Sequence, residues 1–145
     1  MKVETTRFGT IEVNDDKLLE FPWGIPGFES IKRYVLLEYK DGPFQWLQAV
    51  DEPSLAFVVC PPEAIGVQYK IPREKLEPLE TTNPNEVIIL NLISFDREKE
   101  IIRFHLRSPL LFNVETRKAY QWTMDKDEVK NCIILPQGME WQEAK

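Results

Sequence analysis

The sequence predicts an all-β fold: a small antiparallel sheet, barrel-like or sandwich-like, in a single domain with one or two short helical turns. Eleven prolines are spread along the 145 residues and leave little room for long helices. Short apolar stretches bounded by turn residues recur throughout, as the strands of such folds do. The segment "IIRFHLR" alternates apolar and polar side chains, which is typical of a strand with one face in the core.

In the first half of the chain, Phe8-Gly9 marks a first hairpin, and the breakers Asp41-Gly42-Pro43 and Asp51-Glu52-Pro53 separate the later strands. These predicted strands are, in order, "VETTR", "TIEVN", "KLLEF", "RYVLLEY", "FQWLQAV" and "SLAFVV". Between the third and the fourth lies "FPWGIPGFES" at 21–30, an unusually apolar turn. Since loops normally shed apolar residues, this turn either plugs the core or is covered by a partner.

The second half continues with the predicted strands "VQYKI", "EVIILNLISF", "EIIRFHLRS", "SPLLFNV" and "AYQWTM". The loop "DREKE" has hairpin length, so the strands on either side of it should pair antiparallel. "VIILNLI" is apolar on both faces and predicts a central strand covered on both sides. "PREKLEPL" and "DKDEVKN" are the expected helical segments.

Alternation assigns side chains to faces in the last strands. Ile102, Phe104 and Leu106 should face the core, whereas Arg103, His105 and Arg107 should face solvent. Tyr120, Trp122 and Met124 should share one face. No linker or repeat interrupts the chain, so we predict one domain over residues 1–136 and a loosely ordered tail at 137–145.

Composition and charge limit the function classes. Asp and Glu number 24 against 18 Lys and Arg, which gives a net charge of −6 and disfavours direct binding to nucleic acid. No apolar run approaches the ~20 residues of a membrane span, and the N-terminus lacks an apolar signal region. We therefore expect a cytoplasmic protein that has no membrane partner. Cys60 and Cys132 lie in or beside apolar runs, as buried inert thiols do.

Few residues suggest catalysis or metal binding. The single histidine, His105, rules out a histidine-based metal cluster, and we predict no catalytic residue, metal or cofactor. The acidic pairs Asp15-Asp16 and Asp51-Glu52 could do acid–base work if they were buried, but both fall in predicted turns. The aromatic residues of the strands could form a stacking platform for single-stranded nucleic acid, but the net charge makes core packing the favoured interpretation; they are Phe44, Trp46, Tyr120 and Trp122.

Three segments taken together resemble the FliW family of flagellar assembly factors. They are "FPWGIPGFE" at 21–29, "FQWLQAVDEPSLAFVV" at 44–59 and "RSPLLFNVETRKAYQ" at 107–121, and the likeness extends from Val3 to Pro136. The resemblance implies a β-barrel-like, non-catalytic protein that binds the RNA-binding translational repressor CsrA and relieves repression of flagellin mRNA. It also implies that flagellin is a second partner, which displaces CsrA.

With those partners in view, candidate contact residues fall in two segments. In the 21–30 turn, either Phe21 and Phe28 close one end of the barrel, or Trp23 or Ile25 reaches a partner. In the second segment, Phe44, Trp46 and Phe57 are expected in the core and the polar residues at the surface. The candidate protein-binding residues are Trp23, Ile25, Gln45, Gln48, Asp51 and Glu52.

Two alternatives stay open from the residues alone: a small β-barrel that binds nucleic acid, and a minor enzyme that uses turn carboxylates. The sequence does not give the oligomeric state, and we expect a monomer.

Overall fold

The structure is a computed structural model that describes residues 1–38 and 42–138. In these ranges the chain forms short strands, one α-helix and several 3₁₀ turns. The strands are β1 (Lys2–Thr5), β2 (Gly9–Glu12), β3 (Leu19–Glu20), β4 (Arg33–Glu38), β5 (Gln45–Ala49), β6 (Ala56–Cys60), β7 (Gln68–Tyr69), β8 (Val87–Asp96), β9 (Ile101–Phe104), β10 (Leu110–Asn113), β11 (Ala119–Gln121) and β12 (Ile133–Ile134). Helix α1 spans Lys126–Cys132, and the 3₁₀ turns are Asp15–Lys17, Pro62–Ile65, Arg73–Lys75, Glu77–Leu79 and Pro84–Glu86.

One antiparallel sheet with the order β11-β10-β8-β6-β5-β4-β3 organises the molecule, and β9 pairs with β8 outside that order. The sheet curls until its two edges meet. Glu20 of β3 forms a parallel bridge with Lys118, and its N–H donates to the carbonyl of Arg117 at 2.9 Å. The Lys118 ammonium lies 2.7 Å from the Glu20 carboxylate. The result is a nearly closed barrel, which confirms the predicted all-β, barrel-like fold.

The interior of the barrel is apolar because each strand contributes alternate side chains to it. Leu19 on β3, Tyr34 on β4 and Ala49 on β5 lie side by side in register and all face inward. The buried residues of this core are Leu19, Phe21, Ile25, Tyr34, Leu47, Ala49, Val59, Leu90, Leu110, Phe112 and Ala119.

A second apolar layer covers the outer face of β10 and β11. Leu111, which alternates with the inward-facing Leu110 and Phe112, packs there against segments from β7, β12, α1 and the 3₁₀ turns. Helix α1 begins at a capping box in which Asp125 and Glu128 bond each other's backbone N–H groups. The buried members of this layer are Val67, Leu79, Leu111, Trp122, Met124, Cys132 and Ile133.

The β1–β2 hairpin packs against β5 and the loop that follows it. Phe8 meets Trp46 edge to face with ring centroids 5.9 Å apart, and the Arg7 guanidinium lies 4.7 Å from the Trp46 ring. The N–H of Thr6 donates to the carbonyl of Pro53 at 2.9 Å. Trp46 is therefore packed on the outside of the barrel rather than in its interior.

Most predicted elements are confirmed, including the antiparallel β8–β9 pair, the helical turns at Arg73–Lys75 and Glu77–Leu79, and helix α1. β12, which pairs with β7, was not predicted. Phe44, Trp46 and Phe57 were expected in the core and are only partly buried. For Trp46 the expectation is wrong, because its ring packs on the outside of the barrel against Phe8. The proposed tail lies outside the described residues from position 139 onward, and so does Asp41.

One face assignment is wrong. Ile102 was predicted to face the core, yet it is 55% exposed. The reason is that β9 pairs with the last four residues of β8, at the edge of the sheet, where no other element of the described ranges covers its apolar face. His105, Arg103 and Arg107 are exposed, as their alternation predicted.

Cys60 and Cys132 are buried free thiols, in agreement with the sequence. Burial raises the pKa of both, and the nearby carboxylate of Glu63 adds to the effect at Cys60. Both side chains thus stay protonated and apolar. In the two described ranges, no helix has the length and apolar character needed to cross a membrane.

Candidate protein-binding site at one rim of the barrel

Two connections meet at the same end of the barrel: residues 21–32, between β3 and β4, and residues 50–55, between β5 and β6. Because β4 and β5 are antiparallel neighbours, β4 begins where β5 ends. The N–H of Val50 donates to the carbonyl of Arg33 at 3.0 Å, and the Arg33 guanidinium binds the Asp51 carboxylate. We call residues 21–32 and 50–55 together the rim.

Backbone hydrogen bonds make the 21–32 connection a series of tight turns. The N–H of Gly24 donates to the carbonyl of Phe21 at 2.8 Å, and that of Phe28 donates to Ile25 at 2.6 Å. Gly24 has φ +69°, and a Cβ there would lie only 2.5 Å from the Cα of Glu29. Only glycine allows this approach, so the conformation of the turn is fixed by its sequence.

Two of the apolar side chains in this turn point into the barrel. Phe21 is fully buried and meets Tyr34 and Phe112 edge to face at 5.0 and 5.7 Å. Ile25 is 2% exposed and belongs to the same core. Phe28 is 39% exposed and lies against Phe57 with ring centroids 5.3 Å apart. The turn therefore closes this end of the barrel with Phe21 and Ile25, while Phe28 covers it only in part.

Trp23 points the other way. It is 59% exposed, and its ring stands edge to face with that of Tyr120 at 6.4 Å. Between them lies a surface cleft of about 300 Å³, whose lining residues are Trp23, Gly24, Pro26, Glu29, Tyr120 and Gln121. The cleft offers a large aromatic surface next to one carboxylate.

The wall opposite Trp23 is held in place. The hydroxyl of Tyr120 donates to the carbonyl of Lys75 at 2.6 Å, and burial raises the pKa of Tyr120 to about 12. The backbone N–H of Gly27 donates to the Glu29 carboxylate at 2.6 Å. Both walls are thus ordered before any partner arrives, which lowers the entropic cost of binding.

Gln48 lies beneath residues 50–55 of the rim and supports them. It is fully buried, and its amide nitrogen lies within hydrogen-bond distance of three backbone carbonyls, those of Ala49 at 3.0 Å and of Pro53 and Leu55 at 3.2 Å. The expectation that Gln48 is exposed is wrong. The amide is buried because it lies under the loop as an additional donor: the carbonyls of Pro53 and Leu55 also accept from the backbone N–H groups of Thr6 and Ala49.

Asp51 and Glu52 are exposed at the tip of the loop. The Arg33 guanidinium binds Asp51 through two nitrogens, at 3.0 and 2.5 Å. This hydrogen bonding lowers the pKa of Asp51 and raises that of Arg33. Glu52 accepts a hydrogen bond from the Ser54 hydroxyl at 2.8 Å and makes no ion pair with any described residue. Glu52 is therefore the carboxylate of this loop that is available to a cationic partner.

Gln45 lies apart from the rim. It begins β5, whereas the loop follows the last residue of that strand, Ala49. Of the six candidate residues, the structure brings Trp23, Asp51 and Glu52 to the surface of the rim, buries Ile25 and Gln48 beneath it, and leaves Gln45 elsewhere.

Sequence reasoning missed Tyr120, Glu29 and Gln121 as cleft residues. Alternation placed Tyr120 in a core layer, where part of its ring does pack. Its contact with Trp23 joins residues far apart in the chain and exists only because the barrel closes between β3 and β11. No local pattern carries that information.

Over the described ranges, no group of three or more His, Cys, Asp or Glu side chains is arranged to hold a metal ion. What the rim does provide is an exposed tryptophan on a rigid turn, an adjoining cleft and acidic side chains. Exposed aromatic anchors in ordered surroundings are characteristic of protein interfaces.

Comparison with known proteins agrees on one family. The family model described as "FliW protein" matches residues 2–132. A flagellar assembly factor FliW of Ruminiclostridium cellulolyticum is 36% identical over 148 residues, which cover 99% of this chain and all of that protein. One from Caldicellulosiruptor bescii is 32% identical over 145 residues, with 99% and 95% covered. A crystal structure of the flagellar assembly factor FliW superposes with a TM-score of 0.78 at 29% identity and covers 87% of this chain and 90% of its own.

Proposed function

The chain belongs to the FliW family of flagellar assembly factors, and from that premise we propose that it is a cytoplasmic, non-catalytic antagonist of the RNA-binding translational regulator CsrA. By binding CsrA it relieves the repression of flagellin mRNA. Flagellin is the competing ligand. When flagellin accumulates, it binds this protein, and the released CsrA binds the flagellin mRNA again.

The observation that carries this proposal is the exposure of Trp23. A side chain of this size that is 59% exposed on a fixed turn contributes little to the core. Tryptophan is enriched among the residues that dominate binding energy in protein complexes. The cleft shared with Tyr120 gives a partner side chain a place to enter. We therefore assign Trp23 as the anchor of the partner interface.

Charge supports the same proposal. The chain carries a net charge of −6, and Glu52 presents at the rim a carboxylate that forms no ion pair within the described ranges. A regulator that binds RNA has a basic surface, so acidic side chains steer the two proteins together. Once bound, an acidic protein repels RNA phosphates over about 8 Å at physiological salt. Antagonism then requires no chemical reaction.

The candidate residues take different roles under this proposal. Trp23 and Glu52 contact the partner, and Asp51 orients the loop through its ion pair with Arg33. Ile25 and Gln48 act from beneath, by holding the turn and the loop. Gln45 has no place in the proposed interface.

Gel filtration of the purified protein mixed with CsrA tests the proposal. We expect a larger species that contains both proteins, and we expect Trp23→Ala to abolish it at micromolar concentration. Glu52→Lys should weaken binding, chiefly at low salt. Glu63→Lys is the matched control, because Glu63 is exposed in the turn after β6, at the opposite end of that strand from the rim.

Two results would count against the proposal. If the proteins fail to coelute at low salt, CsrA is not the partner. If Glu63→Lys weakens binding as much as Glu52→Lys, only the overall charge matters and the rim is not the interface. A band shift of RNA by the protein alone would instead favour a nucleic-acid-binding function.

The flagellin part of the proposal needs its own experiment. Offering CsrA and flagellin together to the immobilised protein should yield either complex but no ternary one, and added flagellin should release bound CsrA. A stable ternary complex would contradict competition.

A further inference from the structure

The β8–β9 hairpin leaves one backbone edge open. Among the described strands, β9 pairs only with β8. The N–H of His105 donates to the carbonyl of Leu92 at 2.9 Å, so the backbone of residue 105 faces β8, and that of Arg103, opposite Ser94, does the same. Residues alternate along an antiparallel ladder, so the N–H and C=O of Ile102 point away from β8.

One face of this edge is apolar and exposed. Phe95 and Ile102 lie directly opposite each other across the two strands and are 58% and 55% exposed. The next pair on the same face, Ile93 and Phe104, is half-buried. Folded proteins normally have short edge strands or charged side chains on them, because an exposed apolar edge strand pairs readily with another chain. Here the apolar pair lies directly beside the open backbone groups.

The opposite face of β9 carries basic side chains. Arg103 and His105 alternate with Ile102 and Phe104 and are exposed, and the Oγ of Ser94 lies 3.0 Å from the Nε2 of His105. Residues 101–107 carry Arg103, His105 and Arg107 and no acidic side chain, whereas the turn at 97–100 has two basic and two acidic side chains and is neutral. Asp96 is engaged by the backbone N–H groups of the turn and by Arg103 at 3.8 Å. In a chain with a net charge of −6, β9 and the residues that follow it to position 107 are locally positive.

From these three features we propose that β9 accepts an extended segment of another protein as an added antiparallel strand, one in which apolar side chains alternate with acidic ones. The backbone of that segment bonds to Ile102. Its apolar side chains lie beside Ile102 and Phe104, and its carboxylates lie beside Arg103 and His105. This edge contains no residue of the rim, so the proposal stands or falls separately from the proposed function.

A defined probe tests the edge: an acetylated peptide of alternating glutamate and valine, titrated into the isotope-labelled full-length protein and followed by NMR. We expect shifts of the amides of Phe95 and residues 101–105, and slower hydrogen exchange at Ile102. A peptide with lysine in place of glutamate should bind about threefold or more weakly at low salt. A peptide whose backbone is N-methylated at alternate positions, on the edge meant for β9, should not bind.

Three variants locate the contact. Ile102→Pro removes the outward N–H without removing a bond to β8, since proline is tolerated at sheet edges, and should weaken binding about fivefold or more. Ile102→Val keeps the N–H and should bind like the wild type. Arg103→Glu should favour the lysine peptide over the glutamate peptide, and this variant tests the edge independently if Ile102→Pro fails to fold.

Several results would overturn the proposal. The edge is not a docking strand if millimolar glutamate–valine peptide leaves the β9 amides unchanged, or if the N-methylated peptide binds equally well. Equal binding of the lysine peptide would refute the acidic partner. Concentration-dependent self-association that Ile102→Pro removes would assign the edge to a second copy of the chain instead.

Discussion

Trp23 and Ile25 stand two positions apart in one turn, yet the first is 59% exposed and the second 2% exposed. Both are large apolar residues, so their chemistry alone does not predict this difference in exposure. The left-handed conformation of Gly24, at φ +69°, turns the chain between them and sends their side chains to opposite sides. The sequence predicts a rigid apolar turn, but side-chain direction depends on backbone angles that a letter pattern does not contain.

Replacing Trp23 separates an interface role from a packing role. We expect Trp23→Ala to change the free energy of unfolding by less than about 1 kcal/mol, and to weaken binding to CsrA by about 2 kcal/mol or more, roughly thirtyfold. Trp122→Ala is the matched control: Trp122 is 2% exposed, so its loss should cost about 3–5 kcal/mol of stability. Urea denaturation and a binding titration measure both. A large loss of stability in Trp23→Ala would make Trp23 a core residue.

The Arg33–Asp51 pair gives a pH dependence with a defined sign. Because Arg33 lowers the pKa of Asp51 in the folded state, the stabilisation is present above the ordinary aspartate pKa and is lost as the pH falls through the folded pKa. Both side chains are about half exposed, so the contribution stays below about 1 kcal/mol.

We therefore expect Asp51→Asn to be slightly less stable than the wild type at neutral pH, with the difference shrinking below about pH 4. Urea denaturation at neutral pH and below about pH 4 measures this difference in stability. Asp16→Asn, at an exposed position in the first 3₁₀ turn, serves as control and should show no such difference. A stability difference that persists in acid would show that Asp51 acts through packing rather than charge.

Among the secondary-structure elements, alternation predicted most strands correctly, because the side-chain period of a strand is a local property. It failed where tertiary context decides burial. Ile102 obeys the alternation of β9 yet lies at an uncovered edge, and β12 is too short to show a period. Gln48 was assigned to the surface for its polarity, but its amide binds loop carbonyls that only the folded loop brings to it.

Gln48 should therefore control the order of the 50–55 loop. Gln48→Met keeps the approximate volume but removes the donor that serves Ala49, Pro53 and Leu55. The carbonyls of Pro53 and Leu55 keep the N–H groups of Thr6 and Ala49, so loss of the shared donor should cost about 1 kcal/mol, and hydrogen exchange in the loop should become faster. Gln45→Met on the same strand is the control, with a smaller effect expected. Unchanged stability and exchange would mean that the loop is held by other contacts.

In the whole molecule, closure of the barrel brings residues that are far apart in the chain together in one site. Trp23 and Tyr120 meet because β3 and β11 meet. The family of the chain could be identified from three motifs, but this cleft could not, since it depends on where the two ends of the sheet come together.

One buried tyrosine, Tyr34, and two partly buried ones, Tyr69 and Tyr120, predict how the fold responds to alkali. Burial raises the pKa of Tyr34, Tyr69 and Tyr120 to about 12, from 10.0. Because the unfolded chain releases these protons first, stability should be intact below pH 10 and fall as the pH rises toward 12. Ultraviolet titration of tyrosinate should show at least three phenols that ionise late or only on unfolding. Ordinary titration of all phenols near pH 10 would contradict this burial.

The central claim is that an ordered, acidic rim captures an RNA-binding regulator and thereby frees its RNA. The most direct measurement titrates the protein into a preformed complex of CsrA and flagellin mRNA leader and follows RNA release by band shift. We expect stoichiometric release by the wild type and by Glu63→Lys, whereas Trp23→Ala should release the RNA only at a concentration about thirtyfold higher or more. Retention of the RNA in the presence of excess wild-type protein, or equal release by Trp23→Ala, would contradict it.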